Sequence, residues 1–181
     1  MRFLFSAVII GCMFSTAGAQ VCNTASTLRP GRFSIGLAPV INVDHGHDVD
    51  FFINMGMGLT HSVDLSIKMI LDEPNYFGGD CEIVLLSGFP TISIAPGLHF
   101  ADDLGLDAAF NISLPIRRII AIYGGLDADV NFHDGGTSFP LWGFIGFQAM
   151  MRKSLALFME TDIGANDGAP DLFDFGINVF F

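Results

Sequence analysis

From position 31 to the end of the chain, apolar and polar side chains alternate with a period of two, and the alternation restarts after each short polar break. Successive side chains of a β-strand point to opposite faces, so such a chain makes ribbons with one oily side and one polar or small side. Residues 171–181 show this best. Phe173, Phe175, Ile177, Val179 and Phe181 fall on one face, and Leu172, Asp174, Gly176, Asn178 and Phe180 on the other. So regular a two-residue period favours strands over helices.

The same reading yields ten segments: 33–43, 49–60, 63–71, 81–86, 91–101, 104–114, 120–132, 138–150, 154–163 and 171–181. Residues 72–80 read as a loop, from Pro74, Gly78 and Gly79. The segment after it, 81–86, is short and, apart from Glu82, continuously apolar. Residues 138–150 are apolar on both faces, with Trp142, Phe144 and Phe147. Ten is an even number, as a closed bacterial barrel requires. If 80–90 is instead one long loop, the count is eight.

Apolar residues make up 51% of the chain and charged residues 15%, against about 25% charged in an ordinary soluble domain. Yet no segment beyond the amino terminus approaches the roughly 20 apolar residues of a spanning helix. The first 19 residues resemble an export signal: Met1-Arg2, an apolar stretch from Phe3 to Phe14, then Ala17-Gly18-Ala19 as a cleavage site. Ile9-Ile10-Gly11-Cys12 also matches a lipobox, with Cys12 as the acylated residue. Cleavage after Ala19 leaves Cys22 and Cys81. A disulfide between them suits an oxidising periplasm, and two unpaired thiols suit the sequence equally well.

Export signal, ten alternating segments and a terminal Phe181 together resemble small Gram-negative outer-membrane β-barrel proteins over the whole length after the signal. The resemblance implies an all-β fold, a closed antiparallel up-and-down transmembrane barrel over 31–181. A signal peptide at 1–19 and a periplasmic segment at 20–30 would precede it. It also implies outer-membrane localisation, a monomer, and contact with outer-membrane lipids and lipopolysaccharide. Phe181 would be the assembly signal read by the barrel-assembly machinery. One Trp and two Tyr leave most of an interfacial aromatic belt to Phe. No nucleic acid and no cofactor are expected.

Charge follows the same topology. With both termini on the periplasmic side, the outer breaks are 44–48, 72–80, 102–103, 133–138 and 164–170. They carry Asp44, Asp48, Asp72, Glu73, Asp80, Asp102, Asp103, Asp134 and Asp167, and no Lys or Arg. The inner turns carry Arg117-Arg118 and Arg152-Lys153.

If the apolar face meets lipid, the other lines a lumen. It would hold Asp50, Asn54, Asp64, Lys68, Glu82, His99, Asp107, Asn111, Tyr123, Asp127, Asp129, Asn131, Gln148, Glu160, Asp162, Asp174 and Asn178. Lys68 is the one basic residue inside a clear strand. A hydrated polar network bracing a narrow barrel, with Lys68 as its cationic hub, satisfies this composition. So does a narrow passive channel that favours cations, because a ring of carboxylates attracts them. An interior of eight to ten strands is about filled by side chains, which limits passage to small ions or solutes.

His45 and His47 flank a Gly in an outer turn and could ligate a metal, although a tetrahedral site needs further ligands. Residues 162–171 are rich in Asp but lack the EF-hand spacing. No catalytic residues are assigned and no enzyme activity is expected. The alternative is an outer-membrane lipid-modifying enzyme, an acyltransferase or deacylase. His133 and Ser138 share an outer loop and His61-Ser62 lies in an inner turn, but no Gly-x-Ser-x-Gly elbow is present. A second alternative is a secreted soluble barrel that binds an apolar ligand, with the faces inverted and Phe173, Phe175 and Ile177 pointing inward.

Overall fold

A computed structural model describes residues 24–44, 48–71, 76–101, 103–117, 119–133 and 135–181. The described residues contain no helix. Their strands are β1 (Phe33–Asn42), β2 (Val49–Gly58), β3 (Val63–Ile70), β4 (Tyr76–Leu86), β5 (Thr91–Ala101) and β6 (Asp103–Arg117). They continue with β7 (Ile120–His133), β8 (Gly136–Ser138), β9 (Leu141–Arg152), β10 (Leu155–Gly164) and β11 (Leu172–Phe180). Each pairs antiparallel with its neighbour in sequence, β9 taking the place beside β7, and β1 pairs with β11 to close the ring. The architecture is a closed ten-stranded up-and-down barrel. The eleventh strand, β8, only extends the β7 hairpin through Phe132↔Thr137.

The closing ladder keeps faces together: Leu37 opposes Ile177 and Ile41 opposes Phe173, while Gly36 opposes Asn178 and Val40 opposes Asp174. The oily set points out. Phe175 is 47% exposed and Leu106 49%, whereas Asp174 is fully buried. This overturns the inverted, soluble arrangement, in which Phe173, Phe175 and Ile177 would have filled the interior. Exposed Leu, Ile and Phe encircle the wall, far beyond the few hundred Å² of contiguous apolar surface typical of soluble monomers.

Three expectations need correction. Residues 76–80 belong to β4, not to a loop. Tyr76, Gly78, Asp80 and Glu82 face inward, and Phe77 outward. Gly78 sits there because Tyr76 Oη and His99 Cβ would lie 2.9 and 3.1 Å from any Cβ it carried; it is a packing glycine and not a turn. Full-length β4 settles the count at ten. Second, the segment expected at 138–150 is split. Pro140, which has no N–H to donate to a ladder, separates β8 from β9. The two apolar faces of β9 also resolve: Trp142 and Phe144 are buried inside, and Ile145 and Phe147 face outward. Third, Trp142, Tyr76 and Tyr123 all lie inside the barrel, so none contributes to an outer aromatic belt.

Residues 24–32 lie at the same end of the barrel as Phe181. Gly31 N–H donates to Gly58 O and Gly58 N–H to Arg32 O, both at 2.9 Å. From there the chain turns into the mouth, where Ala25 is fully buried and Leu28 N–H donates to Asp64 Oδ2 at 2.9 Å. A Cβ at Gly58 would collide with the Leu28 and Arg29 carbonyls. The export signal, the lipobox at Cys12, Cys22, and both His45 and His47 fall outside the described residues. Cys81 is a free thiol in the structure.

An arginine at Ile67, midway along the outward face of β3, should lower stability by about 2–4 kcal/mol in lipid vesicles. Ser66→Ala, one residue away but facing inward, tests the contrast: reversible denaturant unfolding should show a smaller loss there.

Candidate functional site

The lumen is built in tiers from alternate residues of every strand. At the end that holds the termini, Glu82 Oε1 accepts hydrogen bonds from Ser93 Oγ at 2.5 Å and Asn111 Nδ2 at 3.3 Å, and Asn111 Nδ2 also donates to Ser93 Oγ at 3.2 Å. Asp64 is engaged by the Leu28 backbone. A residual cavity of about 50 Å³ remains between Thr24, Ser26, Asn54, Asp64, Glu82 and Asn178. The amino-terminal segment therefore lies in this mouth without filling it, since a cavity of about 770 Å³ remains beside it between Leu28, Arg29, Gln148, Met150, Arg152 and Phe180, and under it Glu82, Ser93 and Asn111 are mutually bonded.

Midway, Lys68 forms an ion pair with Asp80, both buried, and Ser66 Oγ donates to Asp80 Oδ1 at 2.7 Å. The carboxyl groups of Asp107, Asp127 and Glu160 also lie around the ammonium. Glu160, Asp162 and Asp174 converge so that one oxygen from each lies within 4.8 Å of the others. All three are at most 1% exposed, and the oxygens of Asp162 and Asp174 have no hydrogen-bond partner among the described residues. Tyr123 is buried beside Glu160.

Alongside this polar column, Ala38, Val40, Phe52, Tyr76, Trp142, Phe158 and Leu172 pack inside the barrel as one apolar cluster, which runs from Phe158, nearer the terminal end of β10 than Glu160, to Trp142 and Leu172 at the opposite end. Trp142 Nε1–H is satisfied by Pro170 O at 2.9 Å. The Tyr76 ring stacks on His99, centroids 5.4 Å apart. His99 Nε2 meets Asn131 Oδ1 at 2.7 Å, and its Nδ1 lies 3.7 Å from Asp107 Oδ2. Asp50 is half-buried near this end of β2.

At the outer rim three polar side chains meet. His133 Nδ1 pairs with Asp103 Oδ2, and His133 Nε2 lies 3.1 Å from Ser138 Oγ. They come from the ends of β7, β6 and β8. Loop spacing alone suggested His133 with Ser138, whereas Asp103 joins them only through the barrel register. His61, expected in an inner turn, accepts a bond from Thr27 Oγ1 through its backbone carbonyl. The acidic stretch 162–171 serves the backbone: Asp171 Oδ1 accepts from Gly164 N–H at 2.8 Å.

The polar residues assigned to the lumen face thus lie on the interior side of their strands, with Asp107, Asp50 and Asn54 less deeply buried than Asp127, Asp129 and Glu160. Sequence reasoning missed Asp80, the partner of Lys68, together with Tyr76 and the aromatic cluster inside the barrel. For Asp80 and Tyr76 the signal was present: running the alternation backward from Glu82 passes through both.

No protein-family model and no curated protein sequence matches this chain. Among solved structures, a KdgM porin in complex with disordered oligogalacturonate is 8% identical, with 82% of this chain and 99% of that one covered and a TM-score of 0.50. A de novo designed transmembrane β-barrel is 12% identical, with 86% and 99% covered and a TM-score of 0.45. The outer-membrane protein OprG from Pseudomonas aeruginosa is 13% identical, with 88% and 99% covered and a TM-score of 0.43. At such identities the likeness is one of fold, and the fold resembles that of Gram-negative outer-membrane barrels.

Removing one partner from a buried ion pair strands the other, at about 3–5 kcal/mol, whereas replacing both with apolar groups is often neutral. Lys68→Met should therefore destabilise the barrel in vesicles by that order. The double variant Lys68→Met/Asp80→Leu should recover most of the loss in a denaturant-unfolding cycle.

Proposed function

We propose that this chain is an outer-membrane barrel whose lumen is closed to solutes at rest, a structural element that passes at most water and small cations. One observation carries this reading: side chains and the chain's own amino-terminal segment occupy the lumen at both ends. Phe52 and Trp142 are buried inside the outer half, and residues 24–28 enter the mouth at the other end, where Leu28 bonds Asp64 and a cavity of about 770 Å³ remains beside them. Carboxylates outnumber the single buried ammonium between them, so whatever leaks through should be positive. The outward apolar wall meets lipid acyl chains. Asp44, Asp48 and Asp167 at the outer rim face lipopolysaccharide, and Phe181 serves the assembly machinery. The barrel closes on itself and works as a monomer.

Planar-bilayer recording with a KCl gradient tests this. The intact protein should give silence or small cation-selective steps. A variant lacking residues 24–30 and carrying Phe52→Ala and Trp142→Ala should give larger steps, still cation-selective. Large unselective steps from the intact protein would refute a closed lumen.

A second reading, an acyl-ester hydrolase, draws on the Asp103–His133–Ser138 arrangement at the rim. A triad is recognised by geometry and roles and not by sequence position. Here a carboxylate orients the imidazole, and the imidazole reaches a hydroxyl. All three sit on the lumen side of the rim, away from the lipid-facing wall. The hydrolase reading requires covalent labelling of Ser138 by a fluorophosphonate probe, lost in Ser138→Ala and in His133→Gln. The closed-barrel reading expects no labelling and treats the three as a brace between hairpins.

A further inference from the structure

We propose that His99, Asp107 and Asp129 form a binding site for one divalent first-row transition-metal ion in the outer part of the lumen. The site would join β5, β6 and β7 and does not depend on whether the lumen conducts.

One ring nitrogen of His99 and one carboxylate oxygen each from Asp107 and Asp129 lie within 4.8 Å of one another. Small side-chain rotations bring three such atoms onto a common ion at the usual ligand distances of about 2.0–2.2 Å. The state of the imidazole points the same way. An amide oxygen only accepts, so the contact between Asn131 Oδ1 and His99 Nε2 at 2.7 Å places the proton on Nε2. In the neutral ring, Nδ1 then presents a bare lone pair towards the Asp107 carboxylate. Its separation from Asp107 Oδ2, 3.7 Å, is too long for a hydrogen bond. A lone pair facing an anion is repulsive unless the nitrogen takes a proton or a metal cation stands between them. A metal-ligating histidine characteristically donates its other N–H to an acceptor that fixes its tautomer and orientation, and Asn131 is placed to do this.

Asp129 supplies the second, independent observation. It is fully buried, and neither of its oxygens has a hydrogen-bond partner among the described residues. Burying an uncompensated carboxylate is costly, and a directly bound cation offsets that cost. The backbone also makes room. A Cβ at Gly97 would collide with the Asp107 carboxylate, and one at Gly105 with the His99 ring and the Asn131 oxygen. Two of the strands thus give up side chains where this group converges, and the Tyr76 ring holds the imidazole from its face. One imidazole with two carboxylates suits a borderline ion such as Zn²⁺ or Co²⁺ better than Ca²⁺, which prefers an all-oxygen shell. Water would complete the coordination.

The full barrel, purified in detergent and stripped with a chelator, is titrated with Co²⁺ and followed by its visible d–d absorption, with Zn²⁺ displacement as the check. One equivalent should bind. His99→Gln and Asp129→Asn should each weaken binding more than tenfold, and Asn131→Ala by about 10–100-fold. Glu160→Gln, in the separate carboxylate cluster, should leave it unchanged. Heat-modifiable gel migration reports folding of each variant. If His99→Gln does not fold, the near-isosteric Asp129→Asn and the half-buried Asp107→Asn carry the test. Absence of cobalt absorption from the folded wild type would overturn the proposal and leave His99 as an imidazolium paired with Asp107. Binding that survives these substitutions unaltered would overturn it too, as an adventitious ion only.

Discussion

Every peptide group in hydrocarbon must find its partner within the protein, and a sheet meets this demand only by having no edge. The ladder between β1 and β11 supplies the last set of partners. Once the ring is closed, the pleat decides the rest. Alternate residues face lipid, where only apolar side chains are tolerated, and the remainder are forced into a narrow interior with whatever polarity they carry. The acidic column is therefore a consequence of closure as much as of any task. Side chains that would be loosely solvated on an open sheet are pressed against one another.

The interior answers this crowding in three ways. Glu82 is shared among hydroxyl and amide donors. Asp80 is matched to the one ammonium and braced by Ser66. The carboxylates of Asp129, Asp162 and Asp174 have neither kind of compensation among the described residues. A low-dielectric interior strengthens satisfied networks and penalises incomplete ones, so a missing counter-charge should be sought at this last group.

The wall was legible in the sequence because its signal is local. Two-residue alternation names the face of each strand, and the lipid-facing set Leu104, Leu106, Phe110 and Ile112 could be read off directly. Two kinds of information were not local. Gly78 and Gly79 carry the composition of a turn, yet they serve close packing within β4, and that hid Asp80 from view. Side chains such as Trp142 and Phe144 suit either face of a strand by polarity, and only the register against β7 and β10 turns them inward. The meeting of His99, Asp107 and Asp129 belongs to the same class, since three strands must be registered before it exists.

The segment at residues 24–30 occupies the mouth of a ring whose first strand it immediately precedes. A ring divides space, and a tether attached to one of its staves must lie either within it or without. While β1 and β11 remain unpaired, the tether can pass between the two arrangements through the open seam. After pairing, exchange is possible only by withdrawal through the mouth, against the Leu28–Asp64 contact and the burial of Ala25. The stopping of the mouth is then a step separate from the sealing of the seam, and a ring sealed with the segment outside can still be corked through its mouth.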